Sequence, residues 1–130
     1  WGHARDYVEV MWKILQHDKP DDWVISTGRS TSIRDFIILA FKHIGVELNF
    51  SGKGIHETAF VSACSNKHYK FLIGQEVVSV DPKYFRPTEV DLLIGDSSKA
   101  KKELNWVPKT TLEDLIHEMM ESDLKLFNNN

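Results

Sequence analysis

Two hydrophobic periods meet in the stretch Ser32-Ile33-Arg34-Asp35-Phe36-Ile37-Ile38-Leu39-Ala40-Phe41-Lys42-His43-Ile44-Gly45-Val46-Glu47-Leu48-Asn49-Phe50. Apolar residues first recur every three or four positions, up to Ile44, which is typical of an amphipathic helix. Gly45 then predicts the end of the helix. Apolar and polar residues alternate over residues 46–50, as in a half-buried strand. A helix followed directly by a strand predicts a mixed α/β fold class.

Further amphipathic helices are predicted on both sides of this stretch. Residues 4–17 place their apolar side chains on one helical face: Tyr7, Val8, Met11, Ile14 and Leu15. Asp96 predicts the start of a short helix through Lys102, with Ala100 and Leu104 on its inner face. The last helix carries an apolar stripe after Thr110 and Glu113, which have the spacing of a capping box.

Strands are predicted from short apolar runs between turn residues, at residues 23–26, 77–80 and 92–94. Residues 51–75 show no sustained period, so we expect a long central loop with one short strand or turn. The expected architecture therefore has three to four helices, short strands and a long central loop. We expect residues 1–130 to belong to one structural portion of a protein, since their number suits one domain.

Composition excludes several function classes. The chain has 130 residues, 16 basic and 19 acidic side chains, and a net charge of −3. Nucleic-acid binders normally concentrate positive charge to neutralise phosphates, so we expect no nucleic-acid partner. No apolar run approaches the roughly 18 residues that span a bilayer, so we expect no membrane partner. Because Cys64 is the only cysteine, a reducing compartment is favoured, with the cytoplasm as the default.

The first residue is Trp1 rather than methionine, and an amphipathic segment follows within a few positions. We therefore expect the chain to be part of a longer protein.

A metal site is one hypothesis for the central segment, where Cys64 and His68 are four residues apart and His56 and Glu57 are nearby. Zinc sites usually show two closely spaced ligand pairs, and only one such pair is present. Side chains on the surface of a polar loop are the preferred interpretation, so no metal is expected.

Glycine-rich phosphate motifs are not matched. Ser51-Gly52-Lys53-Gly54 lacks the spacing of a P-loop and predicts a simple turn after a strand. No Gly-x-Gly-x-x-Gly sequence is present, so the usual dinucleotide-binding turn is not expected in this chain.

The segment Phe85-Arg86-Pro87-Thr88-Glu89-Val90-Asp91 is a stronger candidate for binding chemistry. Pro87 has a fixed φ that stiffens the turn, so Arg86 is well placed to give a bidentate fork to a phosphate. Glu89, three residues later, can accept hydrogen bonds from sugar hydroxyls. A solvated surface pair is the alternative interpretation of the same spacing.

Two stretches resemble the GDP-mannose 4,6-dehydratase family. The first comprises Trp1-Gly2-His3-Ala4-Arg5-Asp6-Tyr7-Val8-Glu9, Met11-Trp12 and Lys19-Pro20-Asp21-Asp22. The second comprises Asp81-Pro82-Lys83-Tyr84-Phe85-Arg86-Pro87-Thr88-Glu89-Val90-Asp91, Gly95-Asp96, Lys99-Ala100 and Leu104-Asn105-Trp106-x-Pro108-Lys109. The resemblance covers nearly the whole chain. It is most specific over residues 81–108 and weakest over residues 56–74.

This resemblance implies the C-terminal, substrate-binding portion of an extended short-chain dehydrogenase/reductase. It implies an N-terminal Rossmann domain that binds NADP, on which residues 1–28 would pack, and a complete enzyme that is a homodimer or homotetramer. The implied reaction oxidises GDP-mannose at C4, removes water across C5 and C6, and returns the hydride to C6. The product, GDP-4-keto-6-deoxymannose, is a precursor of GDP-fucose and related deoxysugars.

The resemblance also implies roles for three residues of this chain. Arg86 would bind the substrate diphosphate, Glu89 would bond the nucleotide ribose, and Tyr84 would line the nucleotide pocket. The family's cofactor loop and Tyr-x-x-x-Lys pair have no counterpart here, so no catalytic or cofactor-binding residue is expected in the chain. A related nucleotide-sugar epimerase or dehydratase, and a noncatalytic nucleotide-sugar-binding domain, are the alternative functions.

Overall fold

The computed structural model describes residues 1–86 and 93–128. The chain divides into two compact units: unit 1 combines Trp1–Ser32 with Asp91–Asn130, and unit 2 is Ile33–Val90. The described residues form four α-helices and a three-stranded sheet, which confirms the predicted α/β class and the number of helices. No helix within these described ranges is both long and apolar enough to cross a membrane.

Unit 1 contains three helices, which are α1 (Ala4–Leu15), α3 (Ser98–Glu103) and α4 (Leu112–Asn128). Its core consists of Val10, Ala100, Leu104 and Trp106, with Ile14, Trp23 and Ile25 packed against it. At the start of α3, the Asp96 Oδ1 atom accepts a hydrogen bond of 2.9 Å from the Ser98 N–H group. The predicted inner face of this helix is confirmed, because Ala100 and Leu104 are buried.

A buried carboxylate links α1 to the segment that precedes α4. The Oδ2 atom of Asp6 accepts hydrogen bonds from the backbone N–H groups of Lys109 (3.0 Å) and Thr110 (2.9 Å). The Asp6 carbonyl oxygen also accepts a 2.9 Å bond from the Trp106 indole. Burial of Asp6 opposes its ionisation, but the bonds from Thr110 and Lys109 outweigh burial and lower its pKa.

The cap of α4 lies one residue later than the sequence pattern predicts. The Thr111 Oγ1 atom accepts from the Asp114 N–H group at 3.1 Å, and the Thr111 N–H group donates to Asp114 Oδ2 at 3.3 Å. Thr110 instead gives its N–H group to Asp6. The predicted box of Thr110 and Glu113 is therefore wrong: two neighbouring pairs have the required spacing, and the tertiary contact with Asp6 decides between them.

Unit 2 begins with α2 (Ile33–His43), which packs against the first strand of the sheet. The antiparallel strands are β1 (Val46–Ser51), β2 (Thr58–Cys64) and β3 (Glu76–Ser79), in the order β1-β2-β3. Gly45 adopts φ +77°, and its N–H group donates to the Lys42 carbonyl at 3.0 Å. This confirms the predicted end of the helix and, with it, the strand that follows.

The structure corrects three secondary-structure predictions. The expectation of one short strand within residues 51–75 is met by β2, but the segment is more ordered than the predicted loop. It also contains a 3₁₀ helix, Gly54–His56, and Ala59 and Val61 of β2 are buried. No strand forms at residues 23–26 within the described part of unit 1: Trp23 and Ile25 pack on the core, and the Ser26 hydroxyl donates to the Gly95 carbonyl. Of the predicted strand 92–94, residues 93 and 94 are not in a strand, and residue 92 lies outside the described residues.

Candidate functional site

The predicted binding residues Tyr84 and Arg86 lie in unit 2, after β3. Residues 82–84 form a turn and Arg86 follows it by two residues, and residues 81–86 together are called the predicted binding turn. The Asp81 carboxylate accepts a 2.9 Å bond from the Lys83 N–H group, and the Asp81 carbonyl accepts a 3.0 Å bond from the Tyr84 N–H group. These bonds fix the first part of the turn locally. Tyr84 is 72% exposed and Arg86 is also exposed, so both side chains are available to a ligand.

The aromatic residue between them contacts a second turn of the same unit. Phe85 Cζ lies 3.6 Å from the position that a Cβ atom would occupy on Gly54. Gly54 is the first residue of the 3₁₀ helix in the connection between β1 and β2. The Val80 N–H group donates to the Glu57 carbonyl at 3.2 Å, which holds the start of the turn beside the same connection.

Charged side chains of both signs lie on this turn, with Lys83 and Arg86 as the cations and Asp81 as the carboxylate. The Lys83 ammonium lies 5.4 Å from the centre of the Tyr84 ring, within the range of a cation–π interaction. The Glu57 carboxylate is engaged by Arg34, whose Nε atom donates to it at 2.7 Å. The Arg86 guanidinium forms no ion pair with another described residue. An exposed guanidinium of this kind can give two parallel hydrogen bonds to a phosphate.

The structure thus places two of the three predicted site residues, Tyr84 and Arg86, on one exposed turn. The third, Glu89, lies outside the described residues. Sequence spacing gave no signal that Phe85 contacts Gly54, because this contact depends on how the strands are connected. The predicted turn after the strand at residues 51–54 is confirmed in part: Ser51 is the last residue of β1, and the chain turns from Gly52 into the 3₁₀ helix.

The residues of the metal hypothesis are separated by β2. His56 and Glu57 precede the strand, whereas Cys64 ends it, and seven extended residues span roughly 20 Å. The Cys64 thiol instead lies 3.4 Å from the Asn66 carbonyl oxygen, and Glu57 is bonded to Arg34. These side chains do not converge on one point.

Unit 1 has a cavity of its own, at the start of α4, of about 270 Å³. Its lining includes Trp1, Arg29, Lys109 and Glu113. Lys109 is already engaged there, because its ammonium lies 2.6 Å from the Glu9 carboxylate. Tyr84 and Arg86 do not line this cavity, so it is a separate feature from the predicted binding turn.

Comparison with known proteins gives one consistent family. A sequence profile described as GDP-mannose 4,6 dehydratase matches residues 1–119. A GDP-mannose 4,6-dehydratase of Yersinia enterocolitica is 48% identical over 126 residues, which are 96% of this chain and 34% of that protein. Proteins of the same name from Vibrio cholerae serotype O1 and from Homo sapiens are 50% and 45% identical, over 96% and 100% of this chain and 34% and 32% of their own lengths.

The chain spans about a third of the length of the curated relatives that it matches. The match includes both motif stretches quoted from the sequence, which confirms the resemblance drawn from them. Because the profile covers most of its residues, the chain belongs to the GDP-mannose 4,6-dehydratase family.

Proposed function

We propose that this chain is the nucleotide-sugar-binding part of an enzyme that converts GDP-mannose to GDP-4-keto-6-deoxymannose. The observation that carries the proposal is the exposed turn with Tyr84 and Arg86, in a chain of this family. An aromatic ring next to a guanidinium without a described ion pair suits a ligand with a flat base and phosphates. The names of the relatives support GDP-mannose as that ligand.

In this proposal each predicted residue has a separate role. The Arg86 guanidinium donates two hydrogen bonds to the substrate diphosphate, a geometry that a planar fork favours. Tyr84 offers its ring to the nucleotide. Glu89, three positions after Arg86, accepts a hydrogen bond from a ribose hydroxyl. Together these contacts orient the nucleotide sugar and leave the mannose free to reach the catalytic groups.

The redox chemistry belongs to another part of the complete enzyme. A separate Rossmann domain binds NADP, which supplies hydride acceptance at C4 and hydride return at C6 of the sugar. This chain contains neither a Gly-x-Gly-x-x-Gly sequence nor a Tyr-x-x-x-Lys sequence. Its own contribution is therefore to bind and orient the substrate.

The exposed face of α1 supports the further proposal that residues 1–28 pack on that Rossmann domain. Val8, Met11, Trp12 and Leu15 are all more than half exposed, whereas Val10 on the other face is in the core. Exposed apolar surface of this extent is typical of an interface. In the same proposal the complete enzyme is a homo-oligomer. The proposed location is the cytoplasm, because this chain contains a single cysteine, Cys64, and so forms no disulfide within itself.

The test is Arg86→Ala in the natural gene product that carries this chain. We expect the KM for GDP-mannose to rise about 10- to 150-fold, the equivalent of about 1.5 to 3 kcal/mol for hydrogen bonds to a charged group. Arg86→Lys should give an intermediate KM, because a lysine keeps the charge but loses the fork. Initial rates measured over a range of GDP-mannose concentrations give both values.

Lys67→Ala is the matched control, because Lys67 is an exposed cation that follows β2 rather than β3. An unchanged KM in Arg86→Ala would remove Arg86 from the substrate site. Preferred turnover of UDP- or dTDP-sugars would replace the proposed substrate. Binding of GDP-mannose without turnover would indicate a noncatalytic binding domain.

A further inference from the structure

Lys53 lies in a turn between Gly52 and Gly54, two positions whose backbone conformation favours glycine. Gly52 adopts φ +82°, and a Cβ atom there would come 2.0 Å from the His56 carbonyl oxygen. Gly54, on the other side of Lys53, adopts φ +59°. Both values lie in the left-handed region, which residues with a side chain rarely adopt. The conformation of the turn is therefore closely defined, and Lys53 is held between its two glycines.

The contact between Phe85 and Gly54 brings this turn beside the predicted binding turn. Two atoms of the Phe85 ring, Cζ and Cε2, lie 3.6 and 3.8 Å from the Cβ position of Gly54. Lys53 is the residue next to Gly54, and Arg86 is the residue next to Phe85. Each of the two cations is thus one residue away from the same contact.

The charges of Lys53 and Arg86 are not compensated by a described residue. Both side chains are exposed, and neither forms an ion pair with another residue that the structure describes. The acidic residue that follows the 3₁₀ helix, Glu57, is occupied by Arg34. Two cations on contacting turns, neither of them in an ion pair with a described residue, attract a ligand that carries more than one negative charge.

We propose that Lys53 is a further substrate-binding residue, whose ammonium contacts the same diphosphate as Arg86. This inference rests on the proposed function and extends its site to the connection between β1 and β2. A diphosphate has two phosphate groups, so a planar fork and a flexible ammonium can each bind one of them. The rigid glycine turn limits where the lysine stem begins, which reduces the ordering that binding requires.

The experiment measures GDP binding to the natural gene product by isothermal titration calorimetry. We expect Lys53→Met to weaken GDP binding about tenfold, the lower end of the range for a charged hydrogen bond. Lys53→Gln should give the same loss, and Lys53→Arg should retain most of the affinity because it keeps the charge. Lys53 is exposed, so these variants should keep the wild-type melting temperature.

Lys67→Met is the matched control. Ser51 pairs with Thr58 at one end of the β1–β2 hairpin and Val46 pairs with Cys64 at the other end. Lys53 lies at the first end and Lys67 follows the second, so both are exposed lysines of the same unit but differ in position. Lys67→Met should bind GDP like the wild type.

Guanosine, which has no phosphate, is the second probe. Weaker GDP binding with unchanged guanosine binding in Lys53→Met supports a phosphate contact, whereas equal losses for both probes overturn it in favour of a structural effect. GDP binding that is weakened in Arg86→Ala but unchanged in Lys53→Met overturns this inference and leaves the proposed function intact. A wild-type protein that binds neither GDP nor GDP-mannose overturns both.

Discussion

Asp6 joins two parts of the chain that are more than a hundred residues apart in the sequence. A single carboxylate oxygen accepts both backbone N–H groups, and the charge of Asp6 strengthens these bonds relative to neutral ones. Nothing in the local sequence signals this role, because an acidic residue in the first turn of a helix is usually explained by the helix dipole. The role depends on which backbone groups the tertiary fold brings to the carboxylate.

We predict that Asp6→Ala lowers the free energy of unfolding by about 2 kcal/mol, because it leaves two partly buried N–H groups without their charged acceptor. Asp6→Asn keeps an oxygen acceptor but loses the charge, so its loss should be smaller. Urea unfolding at pH 7 measures both variants. An Asp6→Ala protein with the wild-type urea midpoint would contradict the role assigned to this residue.

The pH dependence of stability gives a separate prediction for the same residue. The folded-state pKa of Asp6 lies below its unfolded value of about 3.9. Its contribution to stability is therefore complete above the unfolded pKa and is lost as the pH falls through the lower, folded pKa. Wild-type stability should fall more steeply below pH 4 than that of Asp6→Asn, and urea midpoints measured from pH 7 to pH 2 test this. Parallel curves would contradict the prediction.

At the scale of elements, the turn between β1 and β2 shows how backbone geometry limits the sequence. Gly52 and Gly74 have nearly the same φ, +82° and +83°, but differ in their surroundings. A Cβ atom on Gly52 would meet the backbone of His56, whereas nothing lies within 4 Å of one on Gly74. Substituting alanine at Gly74 therefore measures the free-energy cost of the backbone conformation alone, whereas substituting it at Gly52 adds the cost of a steric clash.

We predict that Gly74→Ala lowers the free energy of unfolding by about 1 to 2 kcal/mol, the cost of a left-handed conformation for a residue with a side chain. Gly52→Ala should lose about 3 kcal/mol or more, because the backbone of the turn must also move. Urea unfolding of the two variants measures the difference. Equal losses would contradict the prediction, because they would show that the steric clash at Gly52 adds nothing to the cost of the left-handed backbone.

Periodicity predicts the elements whose apolar residues are large and regularly spaced in the sequence. α1, α2 and β1 have strong helical or alternating patterns, and all three form where the sequence predicts them. β2 is predicted only as one short strand or turn within residues 51–75, without bounds, because its buried positions include the small residue Ala59 and polar residues interrupt its apolar pattern. The predicted α4 cap is one residue too early because local spacing does not include the bond from Thr110 to Asp6.

The sequence also predicts only part of the candidate site. The proline that follows Arg86 marks this arginine as a binding candidate from the sequence alone, and the structure shows it exposed on a turn. The neighbouring Lys53 is not predicted, because it is 33 positions away in the sequence and is brought near by the contact of Phe85 with Gly54. Contacts between loops that are distant in sequence leave no periodic signal.

At the scale of the whole molecule, the exposed apolar face of α1 has consequences for the chain in isolation. Four large side chains of this helix point away from the core: Val8, Met11, Trp12 and Leu15. Water contact with such a face is unfavourable, and association of two copies would remove part of it from solvent.

We predict that residues 1–130 expressed alone self-associate, and that the double substitution Met11→Lys and Leu15→Lys shifts them towards monomer. Sedimentation velocity over a range of concentrations measures both. Leu72→Lys is the control, because Leu72 is also a largely exposed apolar residue but lies in unit 2. A wild-type fragment that sediments as a single monomeric species at all concentrations would contradict the prediction.

The division of the chain also sets the order in which it folds during synthesis. Unit 2 is one continuous segment, whereas the core of unit 1 combines Val10 near one end of the chain with Trp106 near the other. The ribosome releases residues 33–90 before it releases Trp106, and units of a nascent chain fold as their segments become complete. Unit 2 is therefore complete first, and α1 is released before its core partners Ala100, Leu104 and Trp106 have been translated.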